Sequence, residues 1–310
     1  MELPIRLELP EGFLEGEERC GYYVEARMKA VWAVELDLLD RFISICKRHR
    51  LQYFVCAGTL LGAMRHRGFI PWDDDIDVAL PRSDYDRFIS VAARELSEPY
   101  YFMNRYTDPE CGRDYSQIRN SRTSGISNYW VKRKARFNYG IMIDIFPLDN
   151  VPCGFYGKVF KLLDRFYKGV ADRNFYGDAK KDVLGERIKT MVAGCIYLSI
   201  GHRRMTSFRE WMFRHLNRSE NGQFGLTSFA PGNKRFVWDK EDSLKCMEMP
   251  FEFMKVSVPV GYDRMLRQTY GDWREYVKGG SMHSSGIYWD PYCDYKTVLK
   301  KKFDFDVDGE

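Results

Sequence analysis

Four aspartates, Asp73, Asp74, Asp75 and Asp77, fall within five positions, and the apolar run Val78-Ala79-Leu80 follows the last of them. Read as a strand over 75–80, the segment sends alternate side chains to opposite faces. Asp75 and Asp77 then share one side, with Asp73 a further candidate for it, while Ile76 and Val78 enter a core. Stacked like charges repel, so the arrangement calls for a cation. A hard divalent ion such as Mg2+, held by one or two carboxylates and by substrate phosphates, meets that need; Mn2+ is the alternative. The chemistry implied is metal-assisted transfer on a phosphate-bearing substrate.

A freely solvated acidic turn is the simplest rival, but Phe69-Ile70-Pro71-Trp72 and Ile76, Val78 and Leu80 flank the aspartates with apolar side chains. An EF-hand loop opens with the same spacing, yet it needs Gly at its sixth position and a bidentate Glu at its twelfth. Val78 and Asp84 stand there. The DxD of a nucleotide-sugar glycosyltransferase stays open. Upstream, residues 52–57 read as a buried strand that Gly58-Thr59 breaks. Leu60-Leu61-Gly62-Ala63-Met64 then starts a helix with Thr59 as its cap. A strand, a Gly-Thr turn, a helix and a DxD strand form the layout of polymerase β-like nucleotidyltransferases, in which the turn's amides and hydroxyl face phosphate.

Further elements must hold this motif in place. Val31, Val34, Leu38, Phe42, Ile45 and Cys46 make a helical stripe over 26–48. Tyr85, Phe88, Ile89, Ala92 and Leu96 make a second, which Pro99 ends. Residues 139–146 read as a third apolar strand with Asp144 in its middle. A carboxylate there is costly to bury unpaired, so Asp144 has either an arginine partner or a place beside Asp75 and Asp77; Asp149, after Pro147, reads as a turn or cap residue. Arg65 and His66 lie between the helix and the aspartates, where an arginine fork suits phosphate oxygens.

The stretch AGTLLGAMRHRGFIPWDDDIDVALPRSDYDRF, residues 57–88, closely resembles the signature of the LicD family, which includes fukutin-related proteins. QIRNSRT at 117–123, IDIFPLD at 143–149 and the block at 259–273 ending in YGDW resemble its later blocks, so the likeness spans most of residues 30–300. The resemblance implies a polymerase β-like fold. It also implies transfer of a phospho-alcohol, often phosphocholine, from a CDP-activated donor to a cell-surface glycan, with release of CMP. Carried onto this chain, Asp75, Asp77 and Asp144 hold the metal and do the catalysis. Gly58 and Thr59 cradle the phosphates, and Arg65 and His66 neutralise them. Arg82 and Arg119 are weaker candidates, and His283 stands where the family often has histidine. The rivals are a nucleotidyltransferase proper, a DxD glycosyltransferase and a non-catalytic glycan-binding member.

The 310 residues, with 45% hydrophobic and 30% charged side chains, suit a soluble globular protein with a substantial core. No Walker A lysine motif, GxSxG or HExxH occurs, which removes the P-loop, hydrolase and zincin readings. Eight cysteines without CxxC or paired-histidine spacing argue for reduced thiols rather than zinc or disulfides. The opening Met1-Glu2-Leu3-Pro4 lacks a basic n-region and an apolar h-region, so a cytoplasmic location is expected. A net charge of +4 is too small to indicate nucleic acid. Residues 151–220, however, hold 14 Lys/Arg against 7 Asp/Glu, with apolar residues at helical spacing and the short run 191–200. This basic helical stretch is either a solvated insertion or a surface that lies against the inner face of a membrane, where a lipid-linked acceptor would be met. The expected organisation is an N-terminal extension (1–25), a nucleotidyltransferase-like core (26–150), the basic insertion (151–220), a C-terminal part of the catalytic domain (221–300) and a tail (301–310). The fold class is α/β (α+β): a mixed sheet flanked by helices, with a helical insertion.

Overall fold

An N-terminal segment that tucks Leu3 into the core leads to the hairpin β1 (Glu17–Arg19) and β2 (Tyr22–Val24), and then to α1 (Ala26–His49). The computed structural model describes residues 2–111, 113–151, 154–176, 184–216, 222–226, 233–277 and 286–308. All six members of the stripe expected in α1 are buried, because that face packs on the sheet. The motif region supplies β3 (Phe54–Val55), α2 (Ala57–His66), β4 (Asp77–Pro81) and α3 (Arg82–Glu95). Tyr85, Phe88 and Ala92 anchor α3 from the second stripe. Next come β5 (Tyr100–Met103), β6 (Ser116–Asn120), β7 (Ser124–Ser127), α4 (Asn128–Val131) and the long β8 (Ile141–Asn150).

The stretch 154–216 is helical: α5 (Gly154–Tyr176), α6 (Leu184–Ile200) and α7 (His202–Leu216). The chain returns through β9 (Gln223–Gly225), β10 (Val237–Asp239), α8 (Lys240–Leu244), the hairpin β11 (Cys246–Phe251) and β12 (Met254–Pro259), and α9 (Tyr262–Tyr270). It closes with β13 (Ile287–Asp290), paired to β7, and α10 (Tyr295–Phe303). The fold is mixed α/β, as expected. Its central sheet runs β10-β9-β8-β4-β3, with β6 also bonded to β8 and β5 to β6. The β4–β8 pair is parallel and the other pairs in this sheet are antiparallel.

Three expectations about elements change. The aspartate strand starts at Asp77 rather than Asp75. Its partner β3 offers two residues, and the chain enters α2 at Ala57, so nothing is left for 73–75 to pair with. Second, β8 continues through Pro147 to Asn150, because Pro147 and Leu148 keep their register beside Leu80 and Pro81. Asp149 is therefore a buried strand residue, not a turn residue. Third, Lys300, Lys301 and Lys302 form the last turn of α10, and Phe305 beyond them is buried, so the chain from 301 to 305 is part of the fold.

Buried ion pairs fasten α7 to the sheet and α5 to α7. Arg82 donates Nε and Nη2 to both oxygens of Asp149 at 2.7 Å, and Nη1 to Glu210 of α7 at 2.8 Å. Arg209 of α7 donates to Asp164 of α5 at 2.8 Å and pairs with Asp114, which Arg105 also meets. Among the described residues, no helix is long and apolar enough to cross a membrane.

Candidate active site

The loop between α2 and β4 folds back through a turn in which Asp73 N donates to the carbonyl of Ile70 at 2.9 Å. Two indoles hold it. Trp32 of α1 donates Nε1 to the Asp73 carbonyl at 3.0 Å, and Trp289 of β13 donates Nε1 to Asp74 Oδ2 at 3.2 Å. As a result Asp73, Asp74 and Asp75 each offer a carboxylate oxygen within 4.8 Å of the others. Asp73 also abuts the start of α2: a Cβ on Gly58 would lie 2.7 Å from its Oδ2, so a larger residue there would push the carboxylate aside. The positive end of the helix faces that charge. Ala57, at the helix start, holds φ +47°, a strained left-handed conformation for a residue with a Cβ.

Asp77 opens β4, and the parallel register sets it directly beside Asp144 of β8, so the two carboxylates issue from the same face. Burial pushes Asp77 well above the usual carboxylate range, and Asp75, Asp144 and Asp73 add to the effect. Asp144 is also raised by burial, against the pull of Arg113 and of a hydrogen bond from Gln117 Nε2 to its Oδ1. Gln117 is itself oriented by Arg119, whose Nη2 donates to Gln117 Oε1 at 2.6 Å. All five aspartates line one cleft of about 670 Å3, together with Gly58, Arg113, Tyr115, Phe146, Tyr270 and Trp289.

The sequence candidates divide sharply against this cleft. Asp75, Asp77, Asp144 and Gly58 line it. Thr59 does not, and it is no cap: Cys56 occupies the N-cap position, and Thr59 Oγ1 accepts from Asp77 N at 2.7 Å, tying helix to strand. Arg65 is engaged elsewhere, its Nη1 donating to the carbonyls of Trp273 and Glu275 at 3.0 Å and its guanidinium carbon 5.0 Å from the centroid of the Tyr276 ring. His66 packs edge-on between Trp72 and Tyr276, and burial with the charges of Arg65 and Arg19 lowers its pKa to about 4. The pair therefore fastens the YGDW block rather than facing the cleft. Arg82 is bound to Asp149 and Glu210, and Arg119 lies behind Gln117. Trp72 is a core residue. His283 lies outside the described residues.

Residues that sequence reasoning passed over complete the picture. Arg113 is the cation beside Asp144, and no motif marks it. Trp289 comes from 215 positions beyond Asp74. Glu35 sits on the buried face of α1, fully enclosed, and neither of its oxygens meets a hydrogen-bond donor among the described residues. Burial, with Asp75, Asp74 and Asp73 nearby, pushes it well above the normal range. An apolar periodicity count over α1 registers its position as core and misses its chemistry.

The donor set is all hard oxygen. Oxygens bound to Mg2+ at ~2.1 Å stand roughly 3 to 4 Å apart, and one oxygen from each of Asp73, Asp74 and Asp75 lies within 4.8 Å of the others. The fold and the cleft thus define a mixed-sheet α/β protein with a carboxylate-walled pocket suited to a hard divalent ion. Residues 50–148 match the LicD/FKTN/FKRP nucleotidyltransferase domain family. The chain is 51% identical over 245 residues, 77% of its length and 88% of the relative's, to the lipopolysaccharide cholinephosphotransferase LicD of Haemophilus influenzae. Uncharacterised proteins of Rickettsia typhi and Rickettsia prowazekii share short segments with it, 44% identical over 44 residues and 46% over 37. The chain belongs to the LicD family.

Proposed function

We propose that this LicD-like phosphotransferase moves a phospho-alcohol, phosphocholine in the first instance, from a CDP-activated donor to a glycan or lipid-linked glycan and releases CMP. The observation that carries the reading is the meeting of Asp73, Asp74, Asp75, Asp77 and Asp144 with Arg113 in one cleft. The name of the Haemophilus influenzae relative supports phosphocholine as the group and lipopolysaccharide as the kind of acceptor.

Asp75, Asp77 and Asp144, with Asp73 and Asp74, would hold Mg2+. When bound, the ion offsets the cluster's charge and that of the donor's diphosphate, and stabilises the leaving phosphate. The Arg113 guanidinium would pair with phosphate oxygens as a fork. Asp144, with Oδ1 held by Gln117, would accept the proton of the acceptor hydroxyl at Oδ2. The aromatic side chains of Tyr115, Phe146, Tyr270 and Trp289 offer faces to a nucleobase and to a quaternary ammonium. A cytoplasmic setting at the inner face of a membrane fits this reading, and the cysteines among the described residues are all free thiols.

The test is incubation with CDP-choline, CTP or a UDP-sugar, with a glycan extract as acceptor and identification of the released nucleotide. CMP from CDP-choline is expected. Pyrophosphate from CTP would indicate a nucleotidyltransferase and UDP a glycosyltransferase, and silence with every donor would favour a glycan-binding role.

A further inference from the structure

The helices α5 and α6 bury one side on the protein, and the side turned to solvent is apolar as well. On α5, Phe160, Asp164, Tyr167 and Val170 face inward, whereas Phe155, Val159, Leu162 and Phe166 form a second stripe at i, i+4, i+7 and i+11 that is exposed. Phe155 is 76% exposed and Leu162 65%. The same happens on α6, where Ala193 and Tyr197 are buried while Ile188, Met191, Val192 and Leu198 are exposed, Leu198 to 81%. On α7, Phe208 and Trp211 stack on each other with centroids 6.0 Å apart and are both about half exposed. Isolated surface apolars need no explanation, but stripes on successive helices do.

Charge is sorted in the same way. Lys158, Lys161 and Arg165 of α5 and Arg203 and Arg204 of α7 are exposed. The acidic side chains described in these helices, Asp164 and Glu210, are turned inward onto Arg209 and Arg82. Among the described residues, the outward surface is therefore apolar with a cationic surround. A second copy of the same face would meet its own positive charge, and a polyanionic glycan would leave the aromatic and aliphatic stripes in water. An anionic bilayer satisfies both features: lipid headgroups take the lysines and arginines, and the acyl boundary takes Phe, Leu and Trp.

We infer that α5, α6 and α7 form a docking surface for anionic phospholipid, with the α5 stripe Phe155–Val159–Leu162–Phe166 entering the interface. The helices lie on the membrane and do not span it. This deepens the inner-face location proposed above and is independent of the reaction chemistry. It would bring the acidic cleft to acceptors carried on lipid.

Flotation of the full chain with phosphatidylglycerol-containing vesicles, against phosphatidylcholine vesicles, tests it. Binding to the first and little to the second is expected, weakened by high salt. Leu162→Ser with Phe166→Ser should reduce partitioning by at least about tenfold, and Lys158→Gln or Lys161→Gln by about fivefold each. The side chains point outward, so melting curves should match the parent's and release of CMP from CDP-choline with a soluble acceptor should continue. No flotation of the parent, or equal flotation of the variants, overturns the inference. So does a lipid-free dimer in sedimentation velocity that the serine variant abolishes, since the stripes would then be an interface between copies. Flotation without any transfer activity would instead leave this surface standing and count against the phosphotransferase reading alone.

Discussion

Asp144→Asn separates a metal site from an ordinary buried carboxylate. Asn keeps an oxygen for Gln117 to donate to and removes only the charge. Asp144 and Asp77 are register neighbours on parallel strands, so their carboxylates stand roughly 5 Å apart. At an effective dielectric of about 20, two unit charges at that distance repel by ~3 kcal/mol. Arg113 offsets part of this, leaving an expected stabilisation of about 1–2 kcal/mol in the metal-free protein, or about 2–8 °C in melting temperature. The raised pKa values of Asp77 and Asp144 give the pH dependence. Each carboxylate holds its proton more tightly when folded, so the destabilisation sets in as pH rises above the unfolded carboxylate range and saturates above the raised folded value. The gain from Asn should therefore vanish in acid and grow as pH rises through the raised folded values. Adding Mg2+ should stabilise the parent strongly and the variant much less, while transfer falls by ~10³-fold or more. Differential scanning fluorimetry in EDTA and in Mg2+, beside a CDP-choline assay, reads all of these. A variant that melts lower than the parent in EDTA, or that gains as much from Mg2+, would refute the shared-cation account.

Asp149→Ala leaves Arg82 with Glu210 and the more distant Asp86 in place of its buried bidentate partner and should lower stability by about 3 kcal/mol, with turnover per folded molecule unchanged; an unaltered urea midpoint would contradict this. Arg65→Lys shortens the reach of the Nη1 donor that meets the carbonyls of Trp273 and Glu275 and removes the Nε bond to His66, and it should destabilise by ~1–2 kcal/mol while the donor KM stays near the parent's. A large KM rise at unchanged stability would return Arg65 to the phosphates. His66 has its pKa depressed to about 4, so the unfolded chain binds the proton first, and this group erodes stability as pH falls from about 6.5 towards 4. His66→Gln should flatten the melting-temperature profile over that range and leave the activity profile around neutrality unchanged; a shifted activity profile would show the imidazole in the chemistry.

Local pattern was enough to specify much of this protein. The apolar stripes of α1 and α3 are visible because helix periodicity is a property of neighbouring residues. The aspartate cluster is visible because charge density needs no partner to be recognised. Asp144 could be singled out by its cost inside an apolar strand. What sequence reasoning could not supply is who meets whom. Arg65, Arg82 and Arg119 all look like phosphate forks in one dimension, since a guanidinium carries the same charge wherever it goes. The engagement of Arg65 with Trp273 and Glu275, of Arg82 with Asp149, and of Arg119 with the Gly140 carbonyl follows from chain reversals that bring separate segments together. The parallel register beside Asp77, the indole of Trp289 on Asp74, the guanidinium of Arg113 and the enclosed acid of Glu35 are likewise set by packing of elements far apart in the chain. Residue type fixed which groups can bind an ion or a phosphate; the tertiary structure decided which of them remain in the cleft to do so, because buried charges must first satisfy one another.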